Sequence, residues 1–266
     1  MPTAAALRLE IEHTLERRFP AALTPAPRTV SEVAATGIAA VDELLHGGLP
    51  VGAISELTGM ASSGRTSLAL RFVAQRTAEE RACAWVDVSD AFDPESAAAN
   101  GVRLKRLLWT RCRDEAGSGA ASRKITRGAN KPQARTSWTR LDQGLRAADL
   151  LLQAGGFAAI VLDLGDTAPE QASRISLATW FRYRQAAERT QCSLVVLGKR
   201  TYAQSAAAVV LECAAAYAVV GGTVLRGFEF TVRRARERSA PVEITTRKPP
   251  TATWQAHAAW DAEART

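Results

Sequence analysis

The sequence contains few of the residues that build metal centres or disulfide frameworks. It has four cysteines, and no two of them form a C-x-x-C pair. It has three histidines, and none has a cysteine or carboxylate partner at catalytic spacing. This pattern argues against a zinc site and predicts reduced thiols in a cytoplasmic protein. The residues concerned are Cys83, Cys112, Cys192, Cys213, His13, His46 and His257.

Long apolar runs are also missing. No stretch of about 18 apolar residues occurs, so no membrane-spanning helix is predicted. The first 19 residues carry acidic side chains and lack a continuous apolar segment, unlike a secretory signal peptide. We therefore expect a cytoplasmic protein that makes no membrane contact.

Positive charge is concentrated in one segment. The formal net charge is +7, and residues 111–140 supply +6 of it through eight Lys or Arg and two acids. Residues 113–137 lack apolar periodicity and are rich in Gly, Ser, Ala and Arg, which predicts a mobile basic insertion. Such cations can bind DNA phosphates without reading sequence. Non-specific DNA contact and a plain solvated loop both remain open interpretations. The candidate cations are Arg123, Lys124, Arg127, Lys131 and Arg135.

Apolar strand-like segments alternate with amphipathic helical segments along most of the chain. The segment FAAIVLDLGD is apolar until Asp163, which is typical of a parallel strand covered on both faces. The alternation predicts an α/β fold with a mostly parallel central sheet flanked by helices. We expect an N-terminal helix and Pro-rich linker at 1–29, a core at 30–248 and a detached C-terminal tail at 249–266. PVEITTRK, residues 241–248, is a candidate last strand of the core.

Both ends of the chain contain candidate partner-binding side chains. Leu7, Ile11 and Leu15 form one apolar stripe on the predicted N-terminal helix. Trp254 and Trp260 are the large apolar residues of an otherwise Ala-rich tail, and large aromatics often anchor partner grooves. Packing against the chain's own core is the alternative at each end.

A near-match to a phosphate-binding loop occupies residues 59–67. The sequence GMASSGRTS places Gly59, Gly64 and Thr66 as the pattern G-x-x-x-x-G-K-[ST] requires, but Arg65 stands at the lysine position. A strand before the loop and a helix after it supply the context in which backbone N–H groups bind an anion. Arginine keeps the charge but is planar and bulkier, so the exchange is not conservative. Asp163 stands where a Walker B carboxylate would.

Two longer stretches resemble the RecA ATPase core. TGIAAVDELLHGGLPVGAISELTGMASSGRTSLAL is similar to its opening, and CAWVDVSDAFDPESAAANGV is similar to the segment that follows. The resemblance covers about residues 30–108 and resumes at lower similarity over 141–247. It implies a RecA-like P-loop core. The degenerate nucleotide site then comprises Gly59, Ser62, Ser63, Gly64, Arg65, Thr66, Ser67, Asp93 and Asp163, with ATP and magnesium as its possible ligands.

Several departures from RecA remove side chains that act on ATP. Ser89 stands in place of the catalytic glutamate, and losing a general base typically costs about 10²–10⁴ in rate. Ser96 replaces the tyrosine that stacks on adenine. Lys199 or Gly198 replaces the glutamine that senses the γ-phosphate. Together with Arg65, these changes predict weak or absent hydrolysis, so no residue is assigned a catalytic role.

With these departures from RecA, the sequence resembles a subgroup of RecA-like proteins, the ImuA-type proteins. They are accessory factors of SOS-induced mutagenic translesion DNA synthesis. This resemblance implies a non-catalytic or weakly ATP-binding factor. Its expected partners are an ImuB-like Y-family polymerase homologue, an error-prone replicative-type polymerase and RecA. A DNA-dependent ATPase of recombinase type and a SulA-like cell-division inhibitor are the alternative functions.

A short loop after the sensor strand is the second candidate DNA contact. In RecA the corresponding loop grips single-stranded DNA, but here it is shorter and holds little glycine. Lys199 and Arg200 would provide phosphate contacts and Tyr202 a base stack. A compact turn between a strand and a helix is the favoured interpretation of the same residues.

Overall fold

The computed structural model describes residues 32–113, 139–237 and 249–257. The predicted N-terminal helix, the basic insertion, the candidate last strand and Trp260 lie outside these ranges. Eleven strands are found within them. They are β1 Val33–Ala34, β2 Leu49–Pro50, β3 Ile54–Thr58, β4 Cys83–Asp87, β5 Leu107–Arg111, β6 Ala159–Asp163, β7 Ser193–Gly198, β8 Val209–Cys213, β9 Tyr217–Gly221, β10 Val224–Glu237 and β11 Thr251–His257.

The same ranges contain six α-helices and two short 3₁₀ turns. The helices are α1 Ala39–Leu44, α2 Arg65–Ala78, α3 Pro94–Ala99, α4 Arg140–Ala154, α5 Pro169–Ala172 and α6 Leu177–Thr190, and the 3₁₀ turns are Leu104–Arg106 and Gln204–Ala206. Local side chains fix where several helices begin. Thr139 and Asp142 form a reciprocal capping box at the start of α4, and Ser176 accepts from the Thr179 N–H at the start of α6.

A nine-stranded sheet organises the fold, and its main path runs β11-β10-β8-β3-β7-β6-β4-β5. The six strands from β8 to β5 along this path are all parallel to their neighbours. Their carboxyl ends therefore meet at one edge, where ligands of open α/β sheets bind. The predicted mostly parallel α/β sheet is confirmed.

Apolar side chains cover both faces of the parallel sheet. In β6, Ala159 and Val161 join the core on the α2 side, whereas Ile160 and Leu162 join the core beneath α4 and α6. Successive residues of a strand point to opposite faces. Strands with two buried faces favour apolar residues at most positions, which explains the continuous apolar run of β6.

The prediction of a detached C-terminal tail is wrong for the part that the structure describes. Residues Thr251–His257 form β11, which pairs antiparallel with β10 over seven residues. Phe230 lies opposite Trp254, and their rings stack with centroids 5.2 Å apart. Ala252, Trp254 and Ala256 alternate with the polar residues Thr251, Thr253 and Gln255, which suits a strand that covers one face of the sheet.

None of the helices in the described ranges is long and apolar enough to span a lipid bilayer.

Candidate functional site

The glycine-containing loop joins the central strand β3 to helix α2. Gly64 takes the N-cap position of α2 with φ of 83°, and no side chain caps the helix. An L-residue rarely adopts that conformation, so glycine is required there. The first N–H groups of any α-helix have no partner within the helix. The uncapped start of α2 therefore offers the N–H groups of Arg65, Thr66 and Ser67 to an anion.

An aromatic ring closes one side of this loop. A Cβ built on Gly64 would lie 2.3 Å from Cδ1 of Phe230, so the ring rests against the glycine. Phe230 is buried, whereas Phe228, two residues earlier on the same face of β10, remains 42% exposed. These rings, Ala216 and residues 62–67 line a cavity of about 380 Å³, which we call the cradle cavity.

Arg65 folds back onto the loop that precedes it. Its Nη1 donates to the carbonyl oxygen of Gly59 and, at 2.8 Å, to that of Met60. The residue is only 7% exposed, and among the described residues its Nε has no hydrogen-bond partner. One guanidinium nitrogen thus holds two carbonyl oxygens of the loop. A lysine at this position would present a compact point charge instead of a planar group with several donors.

The other end of the guanidinium reaches the end of β6. A Cβ built on Gly165 would lie 2.7 Å from Arg65 Nη2 and 3.0 Å from Asp163 Oδ1. Because Gly165 has no side chain, the guanidinium of Arg65 can occupy the space beside it. Arg65, Thr66, Asp163, Gly165 and neighbouring residues line a second cavity of about 320 Å³, which we call the strand-end cavity.

Asp163 has a perturbed carboxyl group. Burial raises the pKa of Asp163 from 3.8 to about 6, and the charge of Asp87 adds to the rise. Asp87 is its direct partner in the pairing of β4 with β6. The Gly165 N–H, which donates to Asp163 Oδ1 at 2.9 Å, and the charge of Arg65 act in the opposite direction. The carboxyl is mainly ionised at neutral pH and protonated in mild acid.

The residues at the glycine loop and the end of β6 suit an oxyanion better than a magnesium ion. The uncapped helix start suits an oxyanion such as a phosphate group. Thr66 and Asp163, the magnesium ligands that the resemblance implies, do line one cavity. However, Arg65 lines the same cavity and places a fixed positive charge beside any cation between them. Within the described ranges, no group of three or more His, Cys, Asp or Glu side chains could hold a metal ion.

Asp87 organises the loop that carries Ser89. Its carboxylate accepts from the N–H groups of Ala91 and Phe92, both at 2.9 Å, and from Nε1 of Trp109 at 3.2 Å. Asp87 thus acts as a buried acceptor at the end of its strand. Ser89 is not among the residues that line the strand-end cavity. Its backbone carbonyl accepts instead from Arg140 Nη1 at 3.2 Å.

Asp93 caps helix α3. Its oxygens accept from the N–H groups of Glu95 and Ser96 at 3.2 and 3.1 Å, and from the Ser96 hydroxyl. These bonds, the Ser96 hydroxyl first among them, hold the pKa of Asp93 below its ordinary value. Asp93 and Ser96 line the strand-end cavity. The predicted adenine contact of Asp93 stays a prediction, and the carboxylate has this capping role in addition.

The loop after β7 is a compact turn. Glu56 Oε1 accepts from the N–H groups of Tyr202 and Ala203 at 2.6 and 2.9 Å. Tyr202 is only 4% exposed, so its ring offers no stacking surface to a DNA base, and the favoured interpretation of a compact turn is confirmed. Arg200 is exposed, and its Nη2 lies 3.9 Å from Oε1 of Glu170. Lys199 is partly exposed. Their predicted phosphate contacts remain predictions.

The structure brings some of the predicted site residues together and leaves others apart. Residues 62–67 line the cradle cavity, and Arg65, Thr66, Asp93 and Asp163 line the strand-end cavity. Gly59 lines neither cavity and contacts Arg65 through its carbonyl oxygen. Trp254 lies on β11 and stacks on Phe230, so its ring is half-buried. Its predicted role as a partner anchor stays a prediction. Predicted site residues outside the described ranges are Leu7, Ile11, Leu15, Arg123, Lys124, Arg127, Lys131, Arg135 and Trp260.

Three residues at the site were not predicted from the sequence. Gly165 follows Asp163 by two positions, and a glycine just after a strand was the available signal. Phe228 and Phe230 form the pattern F-x-F, which places both rings on one face of a strand. No sequence pattern indicated that this face would lie over the loop, because β10 is far away along the chain.

Comparison with known proteins relates the first part of the chain to RecA. Residues 6–122 match the family model of the RecA N-terminal domain. The chain has a RecA-like core. It is 39% identical to Protein RecA of Trichodesmium erythraeum over 98 residues, which are 37% of this chain and 27% of that protein. It is 34% identical to Protein RecA of Azospirillum lipoferum over 134 residues, which are 50% of this chain and 30% of that protein.

The fold comparison extends beyond the region of sequence similarity. The crystal structure of the RadB recombinase is similar with a TM-score of 0.56 and 17% identity, and the match covers 84% of this chain and 96% of that one. At this identity the likeness shows the fold alone. The alignments span only 27% and 30% of the length of the two RecA proteins. Sequence similarity thus supports a RecA-like core over the first part of the chain, and the similarity of fold to RadB extends over most of it.

Proposed function

We propose that this chain is a non-catalytic, RecA-like accessory factor of mutagenic translesion DNA synthesis in the cytoplasm. The observation that carries the non-catalytic part is the placement of Arg65. Its guanidinium is bonded to the carbonyl oxygens of Gly59 and Met60, and it extends towards the end of β6. The positively charged guanidinium of Arg65 therefore stabilises the shape of the loop.

The chemistry around the strand-end cavity supports the same proposal. ATP hydrolysis needs a group that orients and deprotonates water. Ser89 stands at the position that the resemblance gives to that group, and a serine hydroxyl cannot act as a base of this kind. With Ser89 outside the cavity and Arg65 inside it, the arrangement supports binding better than turnover.

The translesion assignment rests on the resemblance to ImuA-type proteins. That resemblance implies docking to an ImuB-like Y-family polymerase homologue, to an error-prone replicative-type polymerase and to RecA. Affinity capture tests it, using the tagged full-length chain from DNA-damaged cells. Recovery of a translesion polymerase component or RecA is expected. Absence of all of them would overturn the proposal, and recovery of the tubulin-like division protein would favour the SulA-like alternative.

Two variant baits sharpen the capture experiment. Thr66→Ala removes the hydroxyl that a magnesium–ATP complex would need, and a non-catalytic factor should still capture its partners. A bait that ends at His257 keeps β11 and removes Trp260. Lower recovery with this bait would place the partner contact in the last nine residues.

A recombinase-type, DNA-dependent ATPase is the second candidate function. The observation in its favour is that Thr66 and Asp163 line one cavity, as magnesium coordination would require. An ATP turnover that single-stranded DNA stimulates and that Thr66→Ala abolishes would favour this function over the accessory role.

A further inference from the structure

The hairpin of β9 and β10 has an open, uncharged edge. Strand β9, Tyr217–Gly221, pairs only with β10 among the described residues, so no described strand lies along its other edge. No charged residue occurs between Glu212 and Arg226. Sheet edges of soluble monomers usually carry charges, prolines or bulges that block a further strand. None of these occurs on β9 itself, which makes its edge a template for strand pairing.

Apolar side chains of this hairpin are exposed on both of its faces. Tyr217 is 65% exposed and Val220 is 63% exposed, and Val224 on β10 is exposed as well. Tyr217 and Val220 point to opposite faces, because they are separated by an odd number of positions along one strand. Exposed apolar groups that lie together in this way mark an interaction surface.

The sequence of β9 is complementary to itself. Two copies that use the same edge pair antiparallel about a twofold axis, and only an axis at Val219 pairs all five residues of the strand. That register places Tyr217 of each copy opposite Gly221 of the other, and Ala218 opposite Val220. Each pair beside the axis therefore combines a larger side chain with a smaller one.

The charge distribution also favours a second copy at this edge. The chain has a net charge of +7, so two copies repel each other at long range. Pairing through β9 brings no charged residue of the two strands together. Arg226 of β10 lies over Gly221, because a Cβ built on that glycine would be 2.8 Å from Arg226 Nε. The Tyr217 ring of the other copy would lie beside this guanidinium, which the π face of a tyrosine attracts.

We infer that the chain forms a twofold-symmetric dimer in which β9 of each copy pairs antiparallel with β9 of the other. The inference goes beyond the proposed function and does not depend on it. A pairing of five residues on each side is small beside the roughly 1,600 Å² that standard interfaces bury. The dimer should therefore be weak and should form only at micromolar concentrations or above.

Sedimentation velocity of the full chain, over a concentration series up to its solubility limit, tests the inference. The measured mass should rise with concentration from 28.5 kDa towards twice that value. Val220→Lys places two like charges near the axis and should weaken association about tenfold. Leu150→Lys, at an exposed leucine of α4, is the matched control and should associate as wild type. A chain that stays monomeric throughout the series would overturn the inference.

Cysteine cross-linking tests the register, and it keeps the test decisive if Val220→Lys fails to fold. The four native cysteines are buried, so an introduced thiol reports on its own surroundings. Oxidation of Val219→Cys should give a disulfide-linked dimer, because the two copies of residue 219 lie directly opposite each other. Thr223→Cys, in the turn of the hairpin, should stay monomeric at the same concentration. Equal cross-linking of the two variants, or a folded Val220→Lys that associates as wild type, would contradict the proposed pairing.

The capture experiment identifies the other possible occupant of this edge. If the chain stays monomeric and Val220→Lys loses its captured partners, β9 pairs with a partner protein and the dimer is excluded. Dimerisation by itself neither supports nor weakens the translesion assignment, so the accessory role is judged separately.

Discussion

Arg65 and Gly165 fit against each other where the loop meets the end of β6. A Cβ on residue 165 would lie 2.7 Å from Arg65 Nη2, closer than non-bonded atoms normally approach. The arginine is held at its other nitrogen by the carbonyl oxygens of Gly59 and Met60. The substitution at the lysine position and the glycine after Asp163 therefore form one structural unit.

Gly165→Ala should lower the free energy of unfolding, because the buried guanidinium must move to admit the methyl group. We expect a cost of about 1–2 kcal/mol, as for other overpacked sites. Urea denaturation of the single variants and of the Arg65→Ala/Gly165→Ala double variant measures the coupling. With the arginine removed, the alanine should cost much less. Equal costs in the two backgrounds would show that the two residues do not interact.

Strand β11 should stabilise the core through Trp254. Its ring stacks on Phe230, which in turn rests on Gly64 of the loop. Because Trp254 is half-buried, Trp254→Ala should lower the free energy of unfolding by about 2 kcal/mol, less than a fully buried ring would. Thr253→Ala, on the exposed face of the same strand, is the control and should change it by about 0.5 kcal/mol or less.

Thermal and urea denaturation of the two variants separate a structural role from a partner-binding one. If Trp254→Ala unfolds like the control yet fails to capture partners, the ring serves an interface instead of the core. If it is destabilised and still captures partners, its role is confined to packing.

Asp163 should make the protein less stable as the pH rises from 4 to 7. Its pKa is about 6 in the folded chain against an ordinary 3.8, so the folded state retains a proton that the unfolded state has lost. The stability from this group is complete below about pH 4 and is lost as the pH rises through about 6.

Asp163→Asn, which resembles the protonated acid, isolates this contribution. We expect it to raise the free energy of unfolding at pH 8 by roughly 1–2 kcal/mol, with solvent contact at the carboxyl reducing the full linkage value. At pH 4 the variant and the wild type should be nearly equal. Urea denaturation at the two pH values checks this, and a variant that is less stable than wild type at pH 8 would contradict it.

The parallel core could be predicted from sequence because its signals are local. The apolar run from Ala159 to Asp163 indicates a strand with two buried faces, and residues 59–67 indicate a strand–loop–helix junction. Both features follow from neighbouring residues, and both appear at the expected places as β6 and the β3–α2 loop.

The contacts at the site between residues far apart in the chain could not be predicted in the same way. The contact of Phe230 with Gly64 joins residues far apart in the chain, and nothing local encodes it. The compact turn at Tyr202 is the interpretation that the sequence favours, but the hydrogen bond from its backbone N–H to the buried Glu56 joins residues far apart in the chain and is not encoded locally. The paired strand β11 was mistaken for a detached tail because β10, its partner, supplies most of its contacts.

Steady-state phosphate release tests the central claim most directly. The assay would compare the full chain, Thr66→Ala and Arg65→Ala in ATP and magnesium, with and without single-stranded DNA. Because Arg65 holds the loop and Ser89 cannot serve as a base, all three proteins should release phosphate at the same background rate. A wild-type turnover that DNA stimulates and that Thr66→Ala abolishes would contradict the claim.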